Sequence, residues 1–210
     1  MSFGKMPIAN GFLTSDQIQN EYFFELAPAF CSYCGMFQLI EQPEQQKMFH
    51  ENYAFFSSTS NYMQAHFKQF SEMVIKCVLA DRQEPFVVEL GSNDGIMLRN
   101  FKDAGIRHLG IEPSINVANV ARLAGIKTLS EFFNVELADR IVGENGQADT
   151  ILCANVMCHI PDFNSIAKGI KRLLKPDGML MFEDPYLGDM IAKTSYDQIY
   201  DEHVFIFSLN

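Results

Sequence analysis

Basic side chains are scarce in this chain. Sixteen lysines and arginines stand against 26 aspartates and glutamates, a formal net charge of −10 at pH 7. Such a surface repels phosphate backbones and anionic lipid head groups, so neither nucleic acid nor a membrane is expected as partner. Long apolar runs are also lacking: no stretch approaches the ~18 uninterrupted apolar residues that a membrane span requires. The first residues show no basic region followed by an apolar run, so no signal peptide is expected. Cysteine is sparse and odd in number, five in 210 residues, in a chain too large to need disulfide staples. Reduced thiols and a cytoplasmic setting are the simpler expectation. Internal repeats and low-complexity segments are missing too. What is present is 48% hydrophobic residues, enough for one ordinary core and a small appendage.

The texture changes along the chain. Residues 1–50 read as a small irregular module, in which Gly4, Pro7, Gly11 and Pro28 interrupt short apolar runs and CSYCG offers a tight turn. Residues 51–80 read as a helical connector or lid. Tyr62, Phe67, Phe70, Met73, Val74 and Cys77 recur there at roughly helical spacing, and Pro85 is expected to end the helix. Residues 81–210 alternate strand with helix. FVVEL, RHLGIEP, IKTLS, DTILCAN and MLMFEDP read as five strands. IMLRNFKDAG (closing on Gly105), VANVARLAG, NVELADRIVGENG and SIAKGIKRLLKPDG read as the helices between them. Short connections and strict alternation predict an α/β fold: a doubly wound, mainly parallel, Rossmann-like sheet with right-handed crossovers and helices on both faces.

Such sheets bind ligands beyond the carboxyl ends of their strands, near the switch point beside the first strand. Here that place is Glu89-Leu-Gly91-Ser92-Asn93-Asp94-Gly95. Gly91 lets the chain turn out of the strand, and Gly95 lets the next helix pack closely. The spacing is not the dinucleotide pattern G-x-G-x-x-G. Glu89 and Asp94 would repel a phosphate and attract a cation, which favours S-adenosylmethionine, with its sulfonium and ammonium, over NAD. Glu112 ends the second strand, where an acid can accept from both ribose hydroxyls. These features together predict a class I S-adenosylmethionine site holding Glu89, Gly91, Ser92, Asn93, Gly95 and Glu112. One of Phe132 and Phe133, after the third strand, is expected to stack on the adenine; Phe132 is the candidate.

The fourth strand leads into Asn155-Val-Met-Cys-His159-Ile-Pro-Asp162, a loop suited to holding a polar substrate. Cys77, Cys153 and Cys158 read as small apolar fillers. Near the C-terminal end stand Tyr200, Glu202 and His203. An imidazole titrating near ~6.5 can take and return a proton at neutral pH. A neighbouring carboxylate could orient it or raise its basicity, and a tyrosine hydroxyl could bond a developing oxyanion. The set suits proton removal from a carbon next to a carbonyl. Adjacent residues of a regular strand face opposite ways, so either this segment is a turn or one of Glu202 and His203 is structural.

The segments KMPIANGFL, FCSYCGMFQL, YAFFSSTS, VVELGSNDG, GIEPSINVA, EFFN, ANVMCHIPD, LLKPDGMLMFEDPYL and IYDEHVFIFSL together resemble the sugar C-methyltransferases. These are S-adenosylmethionine enzymes that act on nucleotide-linked keto-deoxysugars and carry an N-terminal zinc-binding module. The resemblance implies His203 as the general base, with Tyr200 and Glu202 as its companions. Asn155 and His159 would contact substrate or donor, and the segment Tyr53–Ser58 would help cover the site, with Phe55 where members often have tyrosine. Cys31 and Cys34 would be zinc ligands, although the family's module has a second cysteine pair that this sequence does not show. The family also continues past the F-S-L segment, so FIFSLN reads as the entry into further structure and the chain as a fragment truncated at both ends, holding the His203 cluster loosely. The alternatives are an O- or N-methyltransferase acting on a small molecule, and a non-catalytic module that binds S-adenosylmethionine.

Overall fold

The computed structural model describes residues 1–209 and divides them into two compact units. The chain opens with four three-residue strands, β1 (Lys5–Pro7), β2 (Phe23–Glu25), β3 (Pro28–Phe30) and β4 (Phe37–Leu39), and one helical turn, α1 (Gln45–Met48). It continues through α2 (Asn61–Cys77), β5 (Phe86–Leu90), α3 (Leu98–Asp103), β6 (Arg107–Ile111), α4 (Ile115–Leu123) and β7 (Thr128–Leu129). Then follow α5 (Val135–Asn145), β8 (Ala148–Ala154), α6 (Phe163–Leu173) and β9 (Leu174–Glu183). Helix α7 (Leu187–Lys193) and strand β10 (Phe205–Ile206) come last.

The larger unit, Phe55–Ala154 with Asp162–Phe182, is built on a five-stranded sheet of order β7-β6-β5-β8-β9. This is the doubly wound α/β sheet that the alternation predicts, with β5 at its centre. All five residues of β5 are buried, as expected of a parallel strand covered on both faces. Phe67, Val74, Leu98, Phe101, Ala121 and Leu152 are among the side chains that close the core. Helix starts follow side-chain caps. The Ser60 side chain accepts from Met63 N–H, Asn134 from Leu137 N–H and Asp162 from Ser165 N–H, each satisfying a donor that the first turn leaves open.

Two boundaries differ from the sequence reading. Helix α2 ends at Cys77, well before Pro85, and the chain turns through Leu79 to Arg82. Helix α6 stops at Leu173, and LKPDG is the extended start of β9. Pro176 cannot continue a helix and is tolerated in a strand at the sheet's edge. Gln147 Nε2 donates to the Arg172 and Leu174 carbonyls, and Lys175 Nζ reaches Asp149 at 2.7 Å, which holds the segment open.

The smaller unit comprises Met1–Ala54, Asn155–Pro161 and the residues from Glu183 onward. Strands β1 and β2 pair antiparallel, and β3, β4 and β10 form a second antiparallel sheet in the order β10-β4-β3. Ile8, Phe24, Leu26, Leu39 and Met48 are its core. The late segment is therefore built in: Phe205 pairs with Gln38 and Ile206 with Phe37. The polar cluster before it is not loose, since Asp201, Glu202 and His203 are all buried. Asn210, the last residue of FIFSLN, lies outside the described residues.

Asp149, 1% exposed, ties β8 to the start of β5 and to β9. It accepts from Phe86 N–H at 2.9 Å and from Lys175 Nζ. Asp149→Ala leaves the buried Phe86 N–H unpaired and should lower stability by about 2 kcal/mol. Urea unfolding checks this as a lower midpoint with an unchanged slope.

Candidate functional site

The Gly91–Gly95 turn leaves β5 under steric constraint. Gly91 and Gly95 have φ of +64° and +80°, values that favour glycine. A Cβ on Gly95 would stand 2.3 Å from Ile126 Cδ1 and 3.2 Å from Ala121 Cβ. Ser92 is fully buried, its Oγ 2.4 Å from where a Cβ on Gly110 would lie. Asn93 adopts φ +47°, and its Oδ1 accepts from Ser57 N–H (3.0 Å) and Asp94 N–H (2.9 Å). Its Nδ2 donates to the Phe55 carbonyl, and Asp94 Oδ2 accepts from Ser58 N–H. Phe55 to Ser58, the later part of the segment expected to cover a site, is thus fastened to the turn.

Three carboxylates crowd this turn, and all are buried: Glu89, Asp94 and Glu112. Glu112 Oε2 accepts from Asn93 N–H at 3.0 Å, and its Oε1 from Ser114 N–H at 2.8 Å. Glu89 Oε2 and Asp94 Oδ1 are enclosed without a hydrogen-bond partner. Burial, and then the charges of Glu112 and Asp94, push the Glu89 carboxyl well above the usual range. Burial also raises Glu112, against the two N–H groups that lower it. Enclosed carboxylate oxygens without donors suit a ligand that brings cationic groups and hydroxyls and do not suit a pyrophosphate. The donor set therefore fits S-adenosylmethionine. Phe133 packs over α6, its ring edge 2.9 Å from where a Cβ on Gly169 would stand, while Phe132 is half-buried beside it in sequence.

The other sequence-predicted residues belong to the smaller unit. Asn155 is exposed with φ +55°, and its N–H donates to the Glu183 carbonyl at 2.7 Å. A non-glycine residue held there is a strained position of the kind that gathers at functional sites. Asn155 borders a cleft of about 440 Å³, lined also by Asp184, Tyr186, Lys193, Ser195 and Gln198. Asp184 Oδ1 accepts from Val156 N–H, and burial lifts its carboxyl to about 6. Cys158 is buried next to Asp184, and burial drives its thiol upward.

Tyr200 to His203 form a turn closed by His203 N–H donating to the Tyr200 carbonyl. Phe49, His159 and His203 stack in a row, and Tyr200 meets His203 tilted by 58°. Phe49 lies 5.7 Å from His159, His159 5.2 Å from His203, and Tyr200 4.4 Å from His203, between centroids. Burial and the neighbouring His203 push His159 down to about 3. His203 is lowered by burial, against its bond to the Gln198 carbonyl. That bond is 2.7 Å from Nδ1. The Glu202 carboxylate, expected to orient this ring, instead accepts from Asn10 Nδ2 (2.7 Å) and from Tyr53 O–H. Burial raises the carboxyl of Glu202 and the hydroxyl of Tyr200. Asp201 Oδ1 accepts from Ala9 N–H.

Cys31 and Cys34 sit on one tight turn, closed by Cys31 N–H to Met36 O and Gly35 N–H to Cys31 O, both 2.8 Å. N–H groups of Cys34 and Tyr33 lower the Cys31 thiol. A structural zinc needs four ligands. Among the described residues this pair gathers no third one, so a complete zinc site is not formed by these side chains.

Several participants carry no signal in a single sequence. Asn10 and Tyr53 reach Glu202 across 192 and 149 positions, and Gln198 acts through its backbone carbonyl. Only an i+5 spacing links it to His203.

The parallel α/β sheet and its acidic glycine turn are the architecture of a methyltransferase domain. The chain belongs to the methyltransferase-domain family, whose model matches residues 61–210. A second family model, described as "Putative zinc binding domain", matches residues 1–49. Among curated relatives, the chain is 31% identical over 211 residues to the C-methyltransferase NovU of Streptomyces niveus, covering 100% of this chain and 50% of that protein. It is 29% identical over 98 residues to the ubiquinone biosynthesis O-methyltransferase of Bordetella avium, covering 46% of this chain and 41% of that one. The chain thus spans half or less of the length of these relatives. Among solved structures, the plantazolicin methyltransferase BpumL superposes with a TM-score of 0.53 at 16% identity, over 70% of this chain and 61% of that one. The PH0226 protein of Pyrococcus horikoshii gives 0.52 at 15% identity, over 73% and 67%. Likeness at that level shows the fold alone. No helix among the described residues is long and apolar enough to cross a membrane.

Glu89 yields a test in two directions. A carboxyl raised in the folded state binds more protons there than in the unfolded chain, so its contribution to stability falls as pH rises above the ordinary glutamate value, about 4.3. Glu89→Gln should therefore stabilise the unliganded protein at pH 7, with the gain vanishing below pH ~4. The same change should weaken S-adenosylhomocysteine binding about tenfold or more. Urea midpoints at the two pH values and calorimetric titration check both.

Proposed function

We propose that this chain catalyses methyl transfer from S-adenosylmethionine to a carbon next to the keto group of a nucleotide-linked deoxysugar, with His203 as the base. The observation that carries the reading is the 2.7 Å contact between His203 Nδ1 and the Gln198 carbonyl. A carbonyl only accepts, so Nδ1 carries the hydrogen and Nε2 keeps its lone pair. Burial lowers the ring's affinity for a proton, so the base is in its working form at neutral pH. The substrate C–H bond breaks, Nε2 takes the proton, and the electron pair moves to the carbonyl oxygen as an enolate. The Tyr200 hydroxyl, kept protonated by burial, is the donor suited to that oxygen. Glu202, held by Asn10 and Tyr53, keeps the turn in place.

Glu89, Asn93, Asp94 and Glu112, with the backbone of Gly91 to Gly95, would hold the donor. When bound, S-adenosylmethionine supplies the sulfonium methyl that a carbon nucleophile takes. Carbon as the acceptor is supported by the alignment along the whole chain with a C-methyltransferase, whereas the O-methyltransferase alignments cover under half of it. The sugar class rests on the resemblance of the KMPIANGFL, ANVMCHIPD and IYDEHVFIFSL segments. Cys31 and Cys34 would contribute two thiolates to a zinc site.

Hydrogen–deuterium exchange at the substrate's α-carbon, followed by NMR with a keto-deoxysugar nucleotide, tests this reading. His203→Asn should abolish exchange while leaving S-adenosylhomocysteine affinity within about twofold. Methyl appearing on oxygen without exchange would overturn the carbon assignment. Because His203 is lowered, the wild-type exchange rate should stay flat from pH 8 down through ~6.5, the usual histidine value, and fall only below it.

A further inference from the structure

Cys158, His159 and His203 offer ligand atoms that all lie within 4.8 Å of one another. Among the described residues no other three His, Cys, Asp or Glu side chains gather in this way. Proton removal by His203 explains one of the three and leaves two. Cys158 is wholly buried, and His159 Nε2 is enclosed without a hydrogen-bond partner. A buried polar atom without a partner costs free energy unless something occupies it.

We propose that Cys158 Sγ, His159 Nε2 and His203 Nε2 form a site for a divalent cation of the zinc and cobalt class, and that its occupation silences the base. One thiolate and two imidazoles with a fourth position left open is a donor set that selects such ions over magnesium or calcium, which take oxygen ligands. A second observation supports it independently. Ligating histidines commonly donate their other ring N–H to a carbonyl, which fixes the tautomer and aims the free nitrogen. His203 does this through Nδ1 and the Gln198 carbonyl at 2.7 Å.

The two imidazoles are stacked, 25° from parallel, so their nitrogens must converge on the ion. Rotation of the His159 ring about its last side-chain torsion, which is broad for histidine, achieves this while His203 stays on the Gln198 carbonyl. As the cation binds, the Cys158 S–H bond breaks and a sulfur–metal bond forms. The proton passes to Asp184, which hydrogen-bonds with the thiol, and then to water; nothing is oxidised or reduced. With the metal on Nε2, His203 has no lone pair for a substrate proton. That consequence rests on the base assignment, whereas the site itself does not.

The test uses the full chain carrying Cys31→Ser and Cys34→Ser, so that neither N-terminal thiol contributes. Titration with cobalt(II) should show one equivalent bound, with a thiolate-to-cobalt charge-transfer band and the intense d–d bands of four-coordinate cobalt. Adding Cys158→Ser should remove the charge-transfer band, and His159→Asn should weaken binding about tenfold or more. Absence of the band, the same band in Cys158→Ser, or unchanged affinity in His159→Asn would overturn the site. Saturating zinc should slow α-carbon exchange more than about tenfold, and a chelator should restore it. Cobalt bound with the expected spectrum but exchange unaffected by zinc would overturn the silencing and the role of His203 as base, while the metal site would stand.

Discussion

Carboxylates taken out of water organise both units of this protein. An unpaired buried charge is costly, and a protein retains it where something else completes the set. In the larger unit, Glu89, Asp94 and Glu112 are buried together, and two of their oxygens have no partner. Backbone N–H groups of Asn93, Ser114 and Ser58 answer part of that demand. The rest is left open to a ligand that brings cations and hydroxyls, the role proposed for S-adenosylmethionine. The turn's glycines, the close seat of Ile126 against Gly95 and the capture of the Phe55–Ser58 backbone all keep these acids at the carboxyl end of β5.

The smaller unit uses the same constraint for another end. Glu202 is buried but satisfied, by Asn10 and Tyr53. It thereby fastens the Tyr200–His203 turn to the N-terminal segment. His203 is oriented by a neutral carbonyl rather than a carboxylate, which fixes its tautomer without the large rise in basicity that a neighbouring negative charge would bring. Burial, in a row of rings from Phe49 through His159 and His203 to Tyr200, disfavours the charged form of both imidazoles. Neutral imidazoles are what both a waiting base and a metal ligand need.

Much of the α/β sheet was legible because its signals are local. FVVEL, RHLGI and DTILCA are short apolar runs, and the helices between them repeat apolar residues every three or four positions. The GSNDG turn was legible for the same reason: its acids and glycines are contiguous and lie where such sheets bind ligands. The end of α2 and the extended start of β9 were not. They depend on contacts from Asp149 and Gln147, which no local pattern records.

The sequence by itself therefore determined the methyltransferase class: strand–helix alternation, an acidic glycine turn and Glu112 one strand on all follow from neighbours along the chain. Only the tertiary structure decided what Tyr200, Glu202 and His203 touch. Their partners come from the first 53 residues, from a backbone carbonyl and from the loop after β8. The reason is physical. A side chain's propensity is set by its immediate neighbours, but its partner in a desolvated site is set by which distant elements pack together, and a carbonyl oxygen is the same in every residue.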